Sequence, residues 1–249
     1  PIGIVAAGGQ PGEVEQLQVS IKGPGDFVSA ADLKAERTLK SELGRARPGY
    51  GFLAEEGGTI EGKDRTHRFI IDPIDGTTNF LHGIPHFAIS IGLERDGQLV
   101  SSVIYNPITD EMYTAEKSHG AYLNDKRLRV AARKNMAEVV IATGTPTARH
   151  DEAHHETFNT ELRAAMMATA GVRRFGAASL DLAYVAAGRF DAFWERGLAP
   201  WDMAAGILMV KEAGGVVSDL TGREKMLDSG HILASNESLH PKILKLLKG

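Results

Sequence analysis

Cysteine is absent from this chain of 249 residues. That excludes a disulfide framework, a thiolate nucleophile and thiolate metal ligands, and it fits a cytoplasmic protein. Long hydrophobic runs are missing as well: no apolar stretch approaches the roughly 18 residues that a membrane span needs. The apolar segment Ile2–Ala7 is short and has no basic residues ahead of it, which argues against a secretory leader. Charge of one sign is not in excess. A formal net charge of −4 leaves no electrostatic case for nucleic acid as the main ligand. With 43% hydrophobic and 24% charged residues, the composition is that of a globular chain with core enough for one large or two modest domains.

Helix and strand signals divide the chain into two rhythms. Ser29-Ala30-Ala31-Asp32 reads as a capping box, and apolar Leu33, Leu39 and Leu43 predict a helix ending near Gly44. Strand-like runs follow at Ala88–Leu93, Leu99–Tyr105 and Glu111–Ala115, joined by turn pairs such as Asp96-Gly97 and Asn124-Asp125. Successive hairpins predict an antiparallel sheet. From Met136 onward, strands and helices alternate: helices over Asp151–Thr169, Ala178–Ala187, Met203–Ala213 and Leu239–Leu247 lie among short strands. That pattern predicts a second α/β layer. Gly3, Gly8, Gly9, Pro11 and Gly12 argue against a regular helix over residues 1–12.

The chemistry is concentrated in Asp72-Pro73-Ile74-Asp75-Gly76-Thr77-Thr78-Asn79, behind the apolar run Phe69–Ile71. Pro73 disfavours helical geometry at Asp72, so the strand is expected to end in a turn that sends both carboxylates to one end. Clustered carboxylates suit hard cations such as Mg²⁺ or Mn²⁺. Gly76-Thr77-Thr78 can open a short helix, whose first N–H groups attract anions. Acids for a cation beside an anion-binding helix start belong to a phosphate ester site. Asp75-Gly76 alone would read as an ordinary turn. Two further acidic clusters raise the reading above that: Glu55-Glu56 after Gly51–Ala54, and Asp202 after Trp201.

Ala54-Glu55-Glu56, the string Asp72–Phe80 and Trp201-Asp202-Met203-Ala204-Ala205-Gly206 occur in the order found in the inositol monophosphatase family, which this chain resembles from about Asp26 to its C-terminus. Members are Mg²⁺-dependent, lithium-sensitive phosphatases. The resemblance implies an αβαβα layered sandwich, with an antiparallel N-terminal sheet and a second, mixed sheet. Residues 1–136 would carry most metal ligands, and residues 137–249 would carry Asp202 and the substrate contacts, the two halves packed as one unit.

By the same resemblance, Asp72 bridges Mg²⁺ ions, two or three in all. Glu55 and the free carbonyl of Ile74 hold the one that activates water, and Asp75 and Asp202 hold the one beside the leaving oxygen. Thr77 orients the water with Asp32 as its partner. The backbone N–H groups of Gly76 and Thr77 hold the phosphate. Glu195 would bond a sugar or inositol hydroxyl, above a floor formed by Gly176-Ala177-Ala178, where the backbone of Ala178 faces the ring. Ala177 departs from the Thr or Ser usual there, which puts the natural substrate in doubt. Read without the family, Asp202 suits a helix N-cap, Asp32 a capping box, and Glu56 a position pointing away from the site. The substrate implied is a small phosphate ester such as myo-inositol 1-phosphate, with fructose 1,6-bisphosphate, histidinol phosphate or an adenosine bisphosphate as alternatives. Homodimers are common in the family. Some bacterial relatives, similar around Arg173-Arg174-Phe175-Gly176, also bind transcription machinery and affect ribosomal RNA synthesis.

Two other motifs compete. Gly57-Gly58-Thr59-Ile60-Glu61-Gly62-Lys63 nearly spells a P-loop, but Asp64 stands where Ser or Thr must ligate Mg²⁺, and a strand follows in place of a helix. A mobile loop over Gly57–Arg65 is the expectation instead. Asp151-Glu152-Ala153-His154 resembles a helicase box without its strand context. His150 and His154 have the spacing of zinc ligands on a helix, yet a solvated helix start explains them better.

Overall fold

The computed structural model describes residues 19–23, 26–148 and 150–248, with side chains from residue 30 onward. The expectation for residues 1–12 and the side chain of Ser29 in the capping box lie outside these described parts. A ribbon of β1 (Val19–Gly23) and β2 (Asp26–Ser29) leads into α1 (Ala30–Ala46). Ala31, Ala35 and Leu39 recur every fourth residue along α1 and are buried, which lays one stripe of the helix on a sheet.

That sheet has eight strands, in the order β10-β9-β8-β7-β6-β5-β3-β4. They are β3 (Tyr50–Ala54), β4 (Gly58–Ile60), β5 (Asp64–Asp75), β6 (Ala88–Arg95), β7 (Gln98–Asn106), β8 (Glu111–Glu116), β9 (Gly120–Leu123) and β10 (Lys126–Arg127). Asp96-Gly97 and Asn124-Asp125 do form the hairpin turns, with positive φ at both residues of each pair. One neighbouring pair departs from the antiparallel pattern. β4 folds back on β3, and β5 then re-enters beside β3 in the parallel sense, which makes this sheet mixed. The expected loop over Gly57–Arg65 is therefore corrected: its two ends are strand, stabilised by pairing with β3.

The second sheet runs β12-β11-β13-β15-β14. Its strands are β11 (Val140–Thr143), β12 (Gly171–Arg173), β13 (Ala192–Glu195), β14 (Val216–Ser218) and β15 (Ile232–Ser235). The remaining helices are α2 (Thr77–Leu81), α3 (Glu152–Ala168), α4 (Ala178–Ala186), α5 (Pro200–Glu212), α6 (Met226–Ser229) and α7 (His240–Leu247). Alternation along the strands separates the layers. Ile141, Ala192, Trp194 and Leu233 join Leu239 and Ile243 in one core with α3 and α7. Ala142, Phe193, Ile232 and Ala234 face the other way, onto α4 and α5, whose far side meets Ile104 and Tyr113 of the first sheet. Leu39 of α1 packs with Phe52, Phe69 and Ile71 on that sheet's outer face. The result is the helix–sheet–helix–sheet–helix stack.

Helix α5 is apolar all round from Met203 to Val210, as a helix wedged between two sheets must be. It lies directly on α4: a Cβ at Gly206 would meet Leu182 Cβ at 2.5 Å, so only glycine permits the approach. No helix among the described residues is long and apolar enough to cross a membrane.

Buried His240 ties α7 to the second sheet. Its Nε2 stands 2.8 Å from Ser218 Oγ, and its Nδ1 stands 2.9 Å from Ser235 Oγ. Ser218 Oγ also donates to the Asp219 carbonyl at 2.7 Å, and Ser235 Oγ to the Asn236 carbonyl at 3.2 Å, so both hydroxyls link the imidazole to the backbone beside it. Burial lowers this imidazole to about 4 from the ordinary 6.5. Between those two values the unfolded chain binds a proton that the folded chain does not, so stability falls as pH drops through this window and changes no further below it. The loss should be on the order of 3 kcal/mol. Thermal melts from pH 7 to pH 4 should show it, and His240→Gln should flatten that slope relative to the unsubstituted chain.

Candidate active site

Strand β5 does not stop at Asp72, as the sequence suggested. It runs through Pro73 to Asp75, and the pairing with β6 slips between Asp72 and Asp75. This bulge accommodates proline, which has no N–H to donate, and throws both carboxylates to the same end. Ile74 N donates to Asp72 Oδ1 at 2.9 Å, pinning the bulge from within. Glu55 arrives from β3: its N donates to the Ile71 carbonyl at 3.2 Å, so it stands alongside Asp72. Asp202 arrives from the first turn of α5. It is not the N-cap, which is Ala199; instead its Oδ2 reaches back to accept from Ala199 N at 2.7 Å.

Asp72 is 2% exposed, and three acids face it. Burial, then the charges of Glu55, Asp75 and Asp202, push its carboxyl well above the usual carboxylate range. Burial raises Asp75 as well, opposed by bonds from the start of α4. Ser179 N donates to Asp75 Oδ2 at 2.7 Å, Ser179 Oγ donates to the same oxygen at 2.5 Å, and Ala178 N donates to Oδ1 at 3.2 Å. Among the described residues, no three His, Asp or Glu side chains are drawn together into a closed metal shell. The acids face one another while Asp75 and Asp202 accept from backbone N–H groups.

Thr77 opens α2 after Gly76. A positive φ of 92° and close neighbours, with Gly176 O and His86 O both 3.2 Å from any added Cβ, leave room only for glycine at position 76. Thr77 Oγ1 lies 3.3 Å from Asp32 Oδ1, joining the two residues expected to work together. It also lies 3.1 Å from the Ile74 carbonyl. The Ile74 carbonyl, expected to be free, is instead bonded, because the hydroxyl at the helix start turns back onto it; its second lone pair remains.

The opposite wall comes from the second sheet. Glu195 ends β13, and its carboxylate lies over Gly144, where a Cβ would fall 1.8 Å from Oε1. Its neighbours are anchored by buried Glu161, which accepts from Trp194 Nε1 at 3.2 Å and from Arg196 Nε at 3.0 Å. Gly176, Ala177 and Ala178 form a short span, held to α2 by Asn79 Nδ2, which donates to Phe175 O at 2.7 Å and to His86 O at 2.8 Å.

Several of these supports were not read from the sequence. Ser179 and Asn79 are ordinary in composition, and their partners lie 104 and 96 residues away. Glu36 could have been found: it follows Asp32 by one helical turn, it is buried, and its Oε2 accepts from Glu56 N at 2.8 Å, fixing the chain beside Glu55. The competing motifs dissolve. The would-be P-loop is β4 and its flanks. Asp151 caps α3 by accepting from His154 N at 2.9 Å. The rings of His150 and His154 lie 4.4 Å apart and rest on each other without forming part of a metal group among the described residues.

Comparison with known proteins places this architecture in a class. A sequence model of the inositol monophosphatase family matches residues 6–249. The inositol-1-monophosphatase of Mesorhizobium japonicum is 58% identical over 237 residues, covering 95% of this chain and 88% of that protein. The crystal structure of extragenic suppressor protein suhB from Bartonella henselae superposes with a TM-score of 0.95 at 55% identity, over 99% of this chain and 94% of the other. Nus factor SuhB of Pseudomonas aeruginosa is 45% identical over 94% of this chain and 88% of that protein. The chain belongs to the inositol monophosphatase family.

The crowding at Asp72 has a thermodynamic consequence. An acid raised in the folded state stabilises below its unfolded pKa and loses that contribution as pH rises. In chelator at neutral pH, Asp72→Asn should therefore raise the melting temperature. A gain of about 1 kcal/mol corresponds to roughly 2–4 °C for a chain of this size. A lower Tm under those conditions would contradict the picture of unrelieved charge.

Proposed function

We propose that this chain is a Mg²⁺-dependent phosphomonoesterase that hydrolyses myo-inositol 1-phosphate or a similar small polyol phosphate, in the cytoplasm. The observation that carries the reading is the convergence of Glu55, Asp75 and Asp202 on buried Asp72. Two carboxylates about 4 Å apart repel by about 4 kcal/mol at an effective dielectric of about 20, a strain that divalent cations relieve. The donors fit the group: carboxylates with one backbone carbonyl make an all-oxygen set suited to two or three Mg²⁺, with Mn²⁺ acceptable. When bound, such ions supply charge neutralisation, an activated water and a stabilised leaving oxygen.

The chain's own residues divide the rest of the work. Glu55, Asp72 and the Ile74 carbonyl would hold one ion, and Asp72, Asp75 and Asp202 would hold another. Thr77, bonded to Asp32, orients the attacking water through its hydroxyl. The N–H groups of Gly76 and Thr77 face the phosphate at the start of α2. Glu195 accepts from a substrate hydroxyl, and Gly176 and Ala178 line the floor. Residues 1–136 and 137–249 act as one unit in this scheme, since Asp75 of the first half is bonded to Ala178 and Ser179 of the second.

Turnover of a panel of phosphate esters, including fructose 1,6-bisphosphate, histidinol phosphate and an adenosine bisphosphate, tests the substrate. Mg²⁺ should switch on hydrolysis and raise Tm. Asp75→Asn should cut kcat by about 10² or more, while Glu195→Gln should mainly raise KM for polyol phosphates. LiCl should inhibit uncompetitively relative to matched NaCl, which holds ionic strength constant. Full activity in excess chelator would sink the proposal.

A second reading concerns partners. Met166, Met167 and Phe175 are 56%, 79% and 38% exposed, at the end of α3 and just beyond edge strand β12. Large apolar side chains beside Arg173 and Arg174 suit a homodimer contact or a transcription-complex partner, the latter supported by the likeness to Nus factor SuhB. Sedimentation should give a dimer that Met167→Glu weakens. Pull-down of transcription factors should survive Asp75→Asn if the scaffold role is separate from hydrolysis.

A further inference from the structure

Glu195 is the last residue of β13, and the alternation of that strand sets which way it points. Trp194 faces the core shared with α3 and α7, whereas Phe193 faces α4 and α5, and Glu195 leaves on the side of Phe193. The residues before and after it, Trp194 and Arg196, both turn to one carboxylate on α3. Glu161 is 3% exposed, and both of its oxygens are taken. Oε2 accepts from Trp194 Nε1 at 3.2 Å, and Oε1 accepts from Arg196 Nε at 3.0 Å and from Arg196 Nη2 at 2.5 Å. Two guanidinium nitrogens on one carboxylate fix direction as well as distance. With both of its neighbours fastened behind the sheet, Glu195 has one direction left, forward into the cleft.

Gly144 makes the front of this slot. Strand β11 ends at Thr143, which pairs with Trp194, so the next residue lies level with Glu195 just past the end of the shorter strand. Thr143 Oγ1 donates to the Gly144 carbonyl at 3.0 Å, and the Glu195 carboxylate fills the place of a side chain at 144: a Cβ there would overlap both of its oxygens. Gly144 is not among the glycines with positive φ, so this glycine serves space and not backbone freedom.

We propose that Glu161 is a positioning residue for Glu195: it fastens Trp194 and Arg196, and with the empty position at Gly144 it holds the one acceptor that selects hydroxyl-bearing phosphate esters. Neither Glu161 nor Gly144 touches the ligand. A site built to bond a substrate hydroxyl rejects ligands that lack it only while its own acceptor stays in place, and an acceptor free to turn to solvent loses that discrimination. Selectivity is thus set from α3 and from the end of β11. The inference rests on the phosphatase reading of this cleft and on Glu195 as its hydroxyl contact.

The test sets KM for myo-inositol 1-phosphate against the inhibition constant of inorganic phosphate, a ligand with no polyol hydroxyl. Glu161→Ala should raise KM roughly tenfold with little change in the phosphate constant, as expected for the loss of one selective hydrogen bond. Glu161→Gln keeps an acceptor for Trp194 and Arg196 and should recover most of the loss. Gly144→Ala leaves the bonds of Glu161 intact and should reproduce the loss from the opposite side, by taking the place of the Glu195 carboxylate. In a Glu195→Ala background neither alanine should cost anything further, since the three positions act as one unit. Should Glu161→Ala fail to fold, Glu161→Asp keeps the charge, withdraws it by one methylene and gives the same comparison. Equal losses for ester and phosphate, losses that add to that of Glu195→Ala, or an unchanged KM in Gly144→Ala would overturn the inference and leave Glu161 a support of the fold alone. A normal KM in Glu195→Ala would remove Glu195 as a substrate contact, and this inference with it. If the unsubstituted chain hydrolysed no polyol phosphate, the phosphatase reading itself would fail first.

Discussion

Negative charge held in one place is the constraint on which the rest of this structure depends. Asp72 is buried, and Glu55, Asp75 and Asp202 all raise the energy of its charged form. Such an arrangement opposes folding, because each acid would be better solvated in the unfolded chain. It persists because the surrounding layers specify it: β3 delivers Glu55, the bulge in β5 delivers Asp72 and Asp75 together, and the first turn of α5 delivers Asp202. Each acid sits at the end of an element whose body is fixed by apolar packing elsewhere, so the cores absorb the repulsion at the site.

Backbone N–H groups are the second means of holding the acids. Asp75 is gripped by the start of α4, Asp202 by the N-cap residue of α5, and Asp72 by its own bulge. These bonds fix the orientation of the three carboxylates within the fold itself. Glu36 does the same for the chain at Glu56, and Glu161 for the strand end that carries Glu195. The two buried carboxylates of α1 and α3 are thus supports, each placed one residue away from a group assigned to the chemistry.

The wedge of α4 and α5 between the sheets explains why the site spans distant stretches of chain. The close approach at Gly206 seats the two helices together, and their N-terminal ends then converge on β5. Asp75 therefore meets residues more than a hundred positions away. The same geometry sets the start of α4 against the end of β5, making this part of the cleft a product of helix packing as much as of strand ends.

Much of this was legible in the residues alone. The Asp72–Asn79 string, Glu55 and Asp202 identify an oxygen-rich acid centre because chemistry restricts which side chains serve there, and the hairpin turns at Asp96-Gly97 and Asn124-Asp125 are local backbone preferences. Helix bounds came close for the same reason: α3, α4 and α7 follow short-range periodicity, with a side-chain cap from Asp151 at the start of α3. Tertiary structure alone decided the parallel pairing of β5 with β3, the strand pairing that replaces the expected loop over Gly57–Arg65, the bulge at Pro73, and the bonds of Asp75 to Ser179 and of Asn79 to Phe175. A one-dimensional pattern records which face of an element is apolar, but not which distant element will cover it. Long-range pairing depends on how whole surfaces fit, and that information is absent from any local window.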